Sequence, residues 1–137
     1  MADTDIVKNM TDVVRYTAVV DHDSIADATL KAAKNFKELG FEVVEIDNKY
    51  LEPDPVYKGM HMLVQDSKGT IFEVQVHSEQ SLAAKKIIHP VYEEARKMSP
   101  KDPAVVEMKN KMREVTRTLS TPKDIDKIKS YSNRRRK

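Results

Sequence analysis

The run Ile71-Phe72-Glu73-Val74-Gln75-Val76-His77 alternates strictly between apolar and polar side chains. A period of two belongs to a β-strand, so Phe72, Val74 and Val76 point to one face while Glu73, Gln75 and His77 point to the other. The first face builds core. The second sets a carboxylate, an amide and an imidazole in a row, which suits the floor of a site better than an ordinary solvent face. Just upstream, Met60 to Gln65 reads as a second strand, and Asp66-Ser67-Lys68-Gly69-Thr70 between the two reads as a hairpin turn with Gly69 at its tightest point.

Working outward, Val13 to Val20 is β-branched and apolar apart from Arg15, Tyr16 and Thr17, and predicts a first buried strand. Asp23 or Ser24 then caps a helix bearing Ile25, Ala26, Leu30, Ala33, Phe36 and Leu39 at helical spacing, and Gly40 supplies a left-handed stop. Phe41 to Ile46 is another strand, ended by a loop with Pro53, Asp54 and Pro55. Downstream of His77, Ser78 caps a helix through Leu82, Ala83, Ile87 and Ile88, with Pro90 kinking it or starting a new turn. Asp102 and Pro103 open a last helix with Val105, Met108, Met112 and Val115 on one stripe, methionines that read as core. The order β, α, β, β, β, α, α gives an α+β fold with a mixed sheet of four to five strands and helices packed on it.

The 137 residues suit one domain, with 1–100 as its core and 101–137 as its C-terminal helices and basic tail. Hydrophobic content of 39% beside 34% charge describes a globular protein, and no apolar run nears the roughly 20 residues of a membrane helix. The acidic start Met1-Ala2-Asp3-Thr4-Asp5 is no secretory signal, so the cytoplasm, the cell's own or that of a target cell, is the expected site of action. Zero cysteines exclude disulfides and thiolate chemistry. Residues 101–137 hold 12 basic and 5 acidic side chains, ending in Arg134-Arg135-Arg136-Lys137. That tail is either a solvated terminus or a contact for RNA or another polyanion.

Three glycines, at 40, 59 and 69, cannot form a phosphate-binding glycine loop, so side chains must hold any nucleotide. His22, His61, His77 and His89 lack zinc-ligand spacing, and there is no serine elbow. Magnesium needs only one or two carboxylates beside substrate phosphates. Asp12, at the start of the first strand, and Glu73 are the candidates. Tyr57, four residues before His61, can stack on a base or cover the edge of the core. Arg15, Lys49, Lys58, Lys85, Lys86 and Arg96 supply charge for a polyphosphate.

These elements resemble the synthetase domain of the RelA/SpoT alarmone enzymes, whose signature is an Asp opening a strand, a Gly-Tyr-x-Ser-x-His loop, and a Glu-x-Gln-x-Arg-Thr strand followed by a helix with a His. Asp12, Tyr57 to His61 and Glu73-Val74-Gln75-Val76-His77-Ser78 stand in that order, His89 lies sixteen residues beyond Glu73, and Lys49-Tyr50 looks like the family's Lys-Asp-Tyr. Val14-Arg15-Tyr16-Thr17 and Phe72 to His77 are closer still to RelA/SpoT-like domains of phage head-type and polymorphic-toxin proteins. The match covers roughly residues 10 to 96. His77 replaces the family arginine, and Val56 and Gly59 replace the Gly and Ser of the tyrosine loop.

The resemblance implies a magnesium-dependent pyrophosphokinase that moves pyrophosphate from ATP to the 3′-hydroxyl of a nucleotide or RNA, in alarmone signalling or as a toxin. It implies Asp12 as the magnesium ligand, Glu73 as activator of the acceptor hydroxyl and Tyr57 as the platform for the acceptor base. Gln75 and His77 would stand with them, and His61, Arg15, Lys49, Lys58, Lys85, His89 and Arg96 would bind substrate. An immunity or phage protein is the implied partner. The alternative is a non-catalytic nucleic-acid-binding or phage-structural module that keeps the fold.

Overall fold

A computed structural model describes residues 14–133. Strands β1 (Val14–Val19), β2 (Glu42–Asn48), β3 (Met60–Gln65), β4 (Ile71–His77) and β5 (Tyr131–Ser132) form one sheet in the order β1-β4-β3-β2-β5. β1 runs parallel to β4, and the other pairings are antiparallel. The α+β architecture with a mixed sheet is therefore the one the pattern of elements predicts, with three α-helices among the described residues: α1 (Ile25–Glu38), α2 (Glu79–Arg96) and α3 (Pro103–Arg117).

Alternation along β3 and β4 separates the two faces of the sheet. Met60, Met62, Val64, Val74 and Val76 are buried against α1 through Ile25 and Ala26, with Val43 and Ile46 from β2. On the other face stand His61, Glu73, Gln75 and His77, placed side by side by the register His61↔Gln75. The β3–β4 hairpin turns where Asp66 Oδ1 accepts from Lys68 N and Thr70 N, each at 2.9 Å. Gly40 and Gly69 both adopt the positive φ that their turns require, 84° and 89°.

Helix α2 covers one end of the polar face. It starts from a capping box in which Ser78 Oγ accepts from Ser81 N (3.1 Å) and Ser81 Oγ accepts from Ser78 N (2.8 Å). Ala84 and Ile88 of α2 meet Met112 and Leu119 in a second, smaller core, with Val56, Tyr57, Val91 and Val115 around it. The tyrosine loop thus rests on the helix pair.

Three expectations are corrected. Among the described residues β1 is an edge strand with β4 as its one neighbour, and all six of its residues are exposed rather than buried. Val13 lies outside the described residues. Neither Asp23 nor Ser24 caps α1 through its side chain, because a 3-10 turn at His22–Ser24 leads into the helix and Asp23 instead accepts from Lys123 N. Leu30 and Leu39 are exposed, since the buried stripe of α1 runs through Ile25, Ala26 and Thr29, whose hydroxyl is absorbed by the Ile25 carbonyl. Of the two readings for Pro90, a new turn is not what forms: it lies inside α2, which continues to Arg96. Ahead of the basic cluster at 134–137, which lies outside the described residues, Ile125 and Ile128 enter the main core, and Tyr131 and Ser132 pair with β2.

Candidate active site

A cleft of about 310 Å³ opens between the polar face of the sheet, the tyrosine loop and α2. It lies at the small end of ligand pockets. The sheet contributes Arg15, His61, Glu73 and Gln75, the loops Lys49, Glu52, Val56 and Tyr57, and the helix Lys85, Ile88, His89 and Tyr92. Lys85, His89 and Tyr92 share one helical stripe because they are spaced four and three residues apart.

Glu73 sits at the centre of a network. Its Oε1 accepts from Arg15 Nε, which the parallel register Arg15↔Glu73 brings alongside, and lies 3.4 Å from Gln75 Nε2. Its Oε2 is 3.5 Å from His61 Nδ1. The contact with His61, followed by Arg15, holds the carboxyl down at about 2, against the opposing effect of partial burial. Glu73 is therefore ionised throughout the physiological range.

Behind it the hydrogen bonds fix the proton positions. The Gln75 Oε1 atom can only accept, and it takes Lys85 Nζ at 2.8 Å and His77 Nε2 at 3.1 Å. With its Nε2 protonated, His77 accepts at Nδ1 from Ser81 Oγ at 2.8 Å. Tyr57's hydroxyl lies 3.0 Å from His61 Nε2 and 3.3 Å from His77 Nε2. It donates to His61, whose Nδ1–H then faces Glu73. Burial pushes His77 down to about 4, helped by the charge of Lys85. Burial also raises Tyr57 and lowers Lys85.

The structure sorts the residues that the sequence proposes. Arg15, Lys49, Tyr57, His61, Glu73, Gln75, Lys85 and His89 line one cleft. His77 is fully buried one layer below it. Lys58 lines a separate shallow concavity beside Asp54 and Arg117, and Arg96 pairs with Glu93 on the outside of α2. Asp12 lies outside the described residues. Glu52, Val56, Ile88 and Ser81 are additions to the sequence-derived set. The helical stripe through Lys85 and His89 could have pointed to Ile88, whereas nothing in the loop sequence marks Glu52.

For magnesium, the described residues contain no cluster of three His, Asp or Glu side chains that could hold a metal. Glu73 fits the supporting part of a site completed by phosphates. To serve there, it must exchange Arg15 or His61 for the ion.

The type VI effector Tas1, solved in complex with its immunity protein, matches with a TM-score of 0.57 at 19% identity over 85% of this chain and 74% of that one. Small alarmone synthetase 2 from Bacillus subtilis matches at 0.55 and 11% identity, covering 86% of this chain and 70% of the other. A GTP pyrophosphokinase family protein from Streptococcus pneumoniae follows at 0.53 and 12%, covering 85% and 63%. The fold is that of the RelA/SpoT-like synthetases. No family model matches the chain by sequence, and no curated protein does either. Within the synthetase fold, the cleft here combines three cations, two tyrosine rings and one aligned carboxylate, a set suited to a polyphosphate and a base. No described helix is long and apolar enough to cross a membrane.

Proposed function

We propose that this cleft transfers pyrophosphate from ATP to the 3′-hydroxyl of a nucleotide or RNA. The observation that carries this reading is Glu73, set in mid-strand on the cleft floor, with Arg15, His61 and Gln75 fixing its oxygens. In the reaction the acceptor oxygen attacks the β-phosphorus of ATP, the bond between the α,β-bridging oxygen and the β-phosphorus breaks, and AMP leaves. The hydroxyl proton passes to Glu73. Magnesium, with Asp12 and Glu73 as its implied ligands, would neutralise charge on the triphosphate. Arg15, Lys49 and Lys85 orient the phosphates, and positioning with charge neutralisation supplies most of the catalysis. Arg15, drawn from Glu73 onto the incoming phosphates, would leave the carboxylate more basic as the substrate binds.

Two sources of partners follow from the same reading. An immunity protein, as in the Tas1 complex, would fit a toxin acting in a target-cell cytoplasm. An RNA acceptor would engage the exposed Lys123 and Lys129 of the C-terminal segment. The test is incubation with ATP labelled in its γ-phosphate against GDP, GTP, AMP, ADP and bulk tRNA, resolved by thin-layer chromatography. Label should move to one acceptor with equimolar AMP. AMP formation absent with every acceptor refutes transfer and leaves the non-catalytic binding module.

A further inference from the structure

Gly59 is buried, and its φ lies outside the positive range that favours glycine. Space, not conformation, restricts the position. A Cβ there would lie 2.7 Å from Tyr57 Cζ and 2.9 Å from His61 Nε2, and within contact of the Tyr57 hydroxyl oxygen. All three are tips of side chains, so a methyl group at 59 displaces the ring and the imidazole rather than the fold. The hydroxyl would have to move outward by on the order of 1 Å to regain ordinary contact distance.

Resting on the functional reading above, we propose that Gly59 is the positioning residue of the acceptor subsite. By carrying no side chain it lets the Tyr57 hydroxyl seat between His61 and His77, and this sets where the ring stands for an acceptor base. The ring is consequently not a free platform. It is tethered at its tip, tilted 58° to the His61 ring and 52° to the His77 ring, and it lines the cleft together with Val56 and Ile88. A tethered ring admits a base in one orientation, because each base must stack on the face that the tether leaves open.

The experiment compares the parent with Gly59→Ala, Tyr57→Phe, Tyr57→Ala and the Gly59→Ala/Tyr57→Ala double variant. Imidazole nitrogen spectra should move for both His61 and His77 in Gly59→Ala and in Tyr57→Phe. Adding Gly59→Ala to Tyr57→Ala should move the His77 signals no further, since the ring that links position 59 to His77 is gone, whereas His61, 2.9 Å from the added Cβ, still responds. In calorimetric titrations with GDP and ADP, Gly59→Ala should weaken the better-bound of the two roughly tenfold, within the range of one base stack. Binding of a non-hydrolysable ATP analogue should be unchanged. Unmoved histidine signals in Gly59→Ala overturn the proposal, and so does a full shift with acceptor affinity unaltered. A parent that binds no nucleotide overturns the functional reading and the acceptor role with it, while the histidine signals still decide the tether. Should Gly59→Ala fail to fold, Tyr57→Phe carries the same test without adding an atom.

Discussion

Replacing Glu73 by Gln removes the one charge on which the cleft network converges, and the consequence can be worked out in two currencies. Holding the carboxyl at about 2 rather than its ordinary 4.5 corresponds to about 3 kcal/mol of preference for the ionised form in the folded state. Arg15 is 53% exposed, so water screens its share, and about 1 to 2 kcal/mol is the expected loss of stability at pH 7. Because the folded value is depressed, that contribution is complete above pH 4.5 and disappears as the pH falls through about 2. The parent and Glu73→Gln should therefore differ in urea midpoint at pH 7 and converge towards pH 2. Turnover should fall roughly 100-fold or more at every pH, as for the loss of a general base. A stability gap of equal size at pH 7 and pH 2.5 would refute the ionic account of the network, and unchanged turnover would remove Glu73 from the reaction.

Three further outcomes are expected. His77 is buried neutral, with a folded value of about 4 against an ordinary 6.5, so it contributes stability above pH 6.5 that is lost as the pH falls towards 4; His77→Gln should flatten the stability profile across that window in chemical denaturation. Asn48 is buried and gives both amide protons to carbonyls, Ile125 O at 2.9 Å and Ile128 O at 2.8 Å, while accepting from Tyr50 N; Asn48→Ala should cost about 3 kcal/mol by urea titration. Deleting residues 134–137, beyond the β5 pairing, should leave the melting temperature in place and, if RNA is the acceptor, flatten the salt dependence of RNA binding. An unchanged salt slope would exclude the tail from RNA contact.

The period-two pattern of Ile71 to His77 was sufficient to place Glu73 and Gln75 on a polar face, because alternation on a strand is a geometric necessity once the opposite face is core. The same reasoning misjudged β1. Its apolar composition matches that of a central strand, and only the pairing order makes it an edge. Leu30 and Leu39 failed for a related reason: helical spacing defines a stripe, but the sheet decides which stripe is covered, and it covered Thr29. At the site, charge alone could not separate Lys85, aimed at Gln75, from Arg96 one helix end away. The burial of His77 beneath Tyr57 depended on a hydroxyl contact between the tyrosine loop and β4, which a sequence pattern does not encode.

The placement of Ile125 and Ile128 in the main core bears on how this chain is made. A ribosome releases every cleft residue from Arg15 to Tyr92 well before those two isoleucines emerge. Until then the α1 side of the sheet lacks part of its covering, and Asn48 lacks the two carbonyls that accept from it. A nascent chain paused before residue 120 accordingly carries a complete set of cleft side chains on an unsealed sheet. That face of the sheet is sealed only once Ile128 has left the ribosome, so the cleft side chains gain their finished support after all of them have been made.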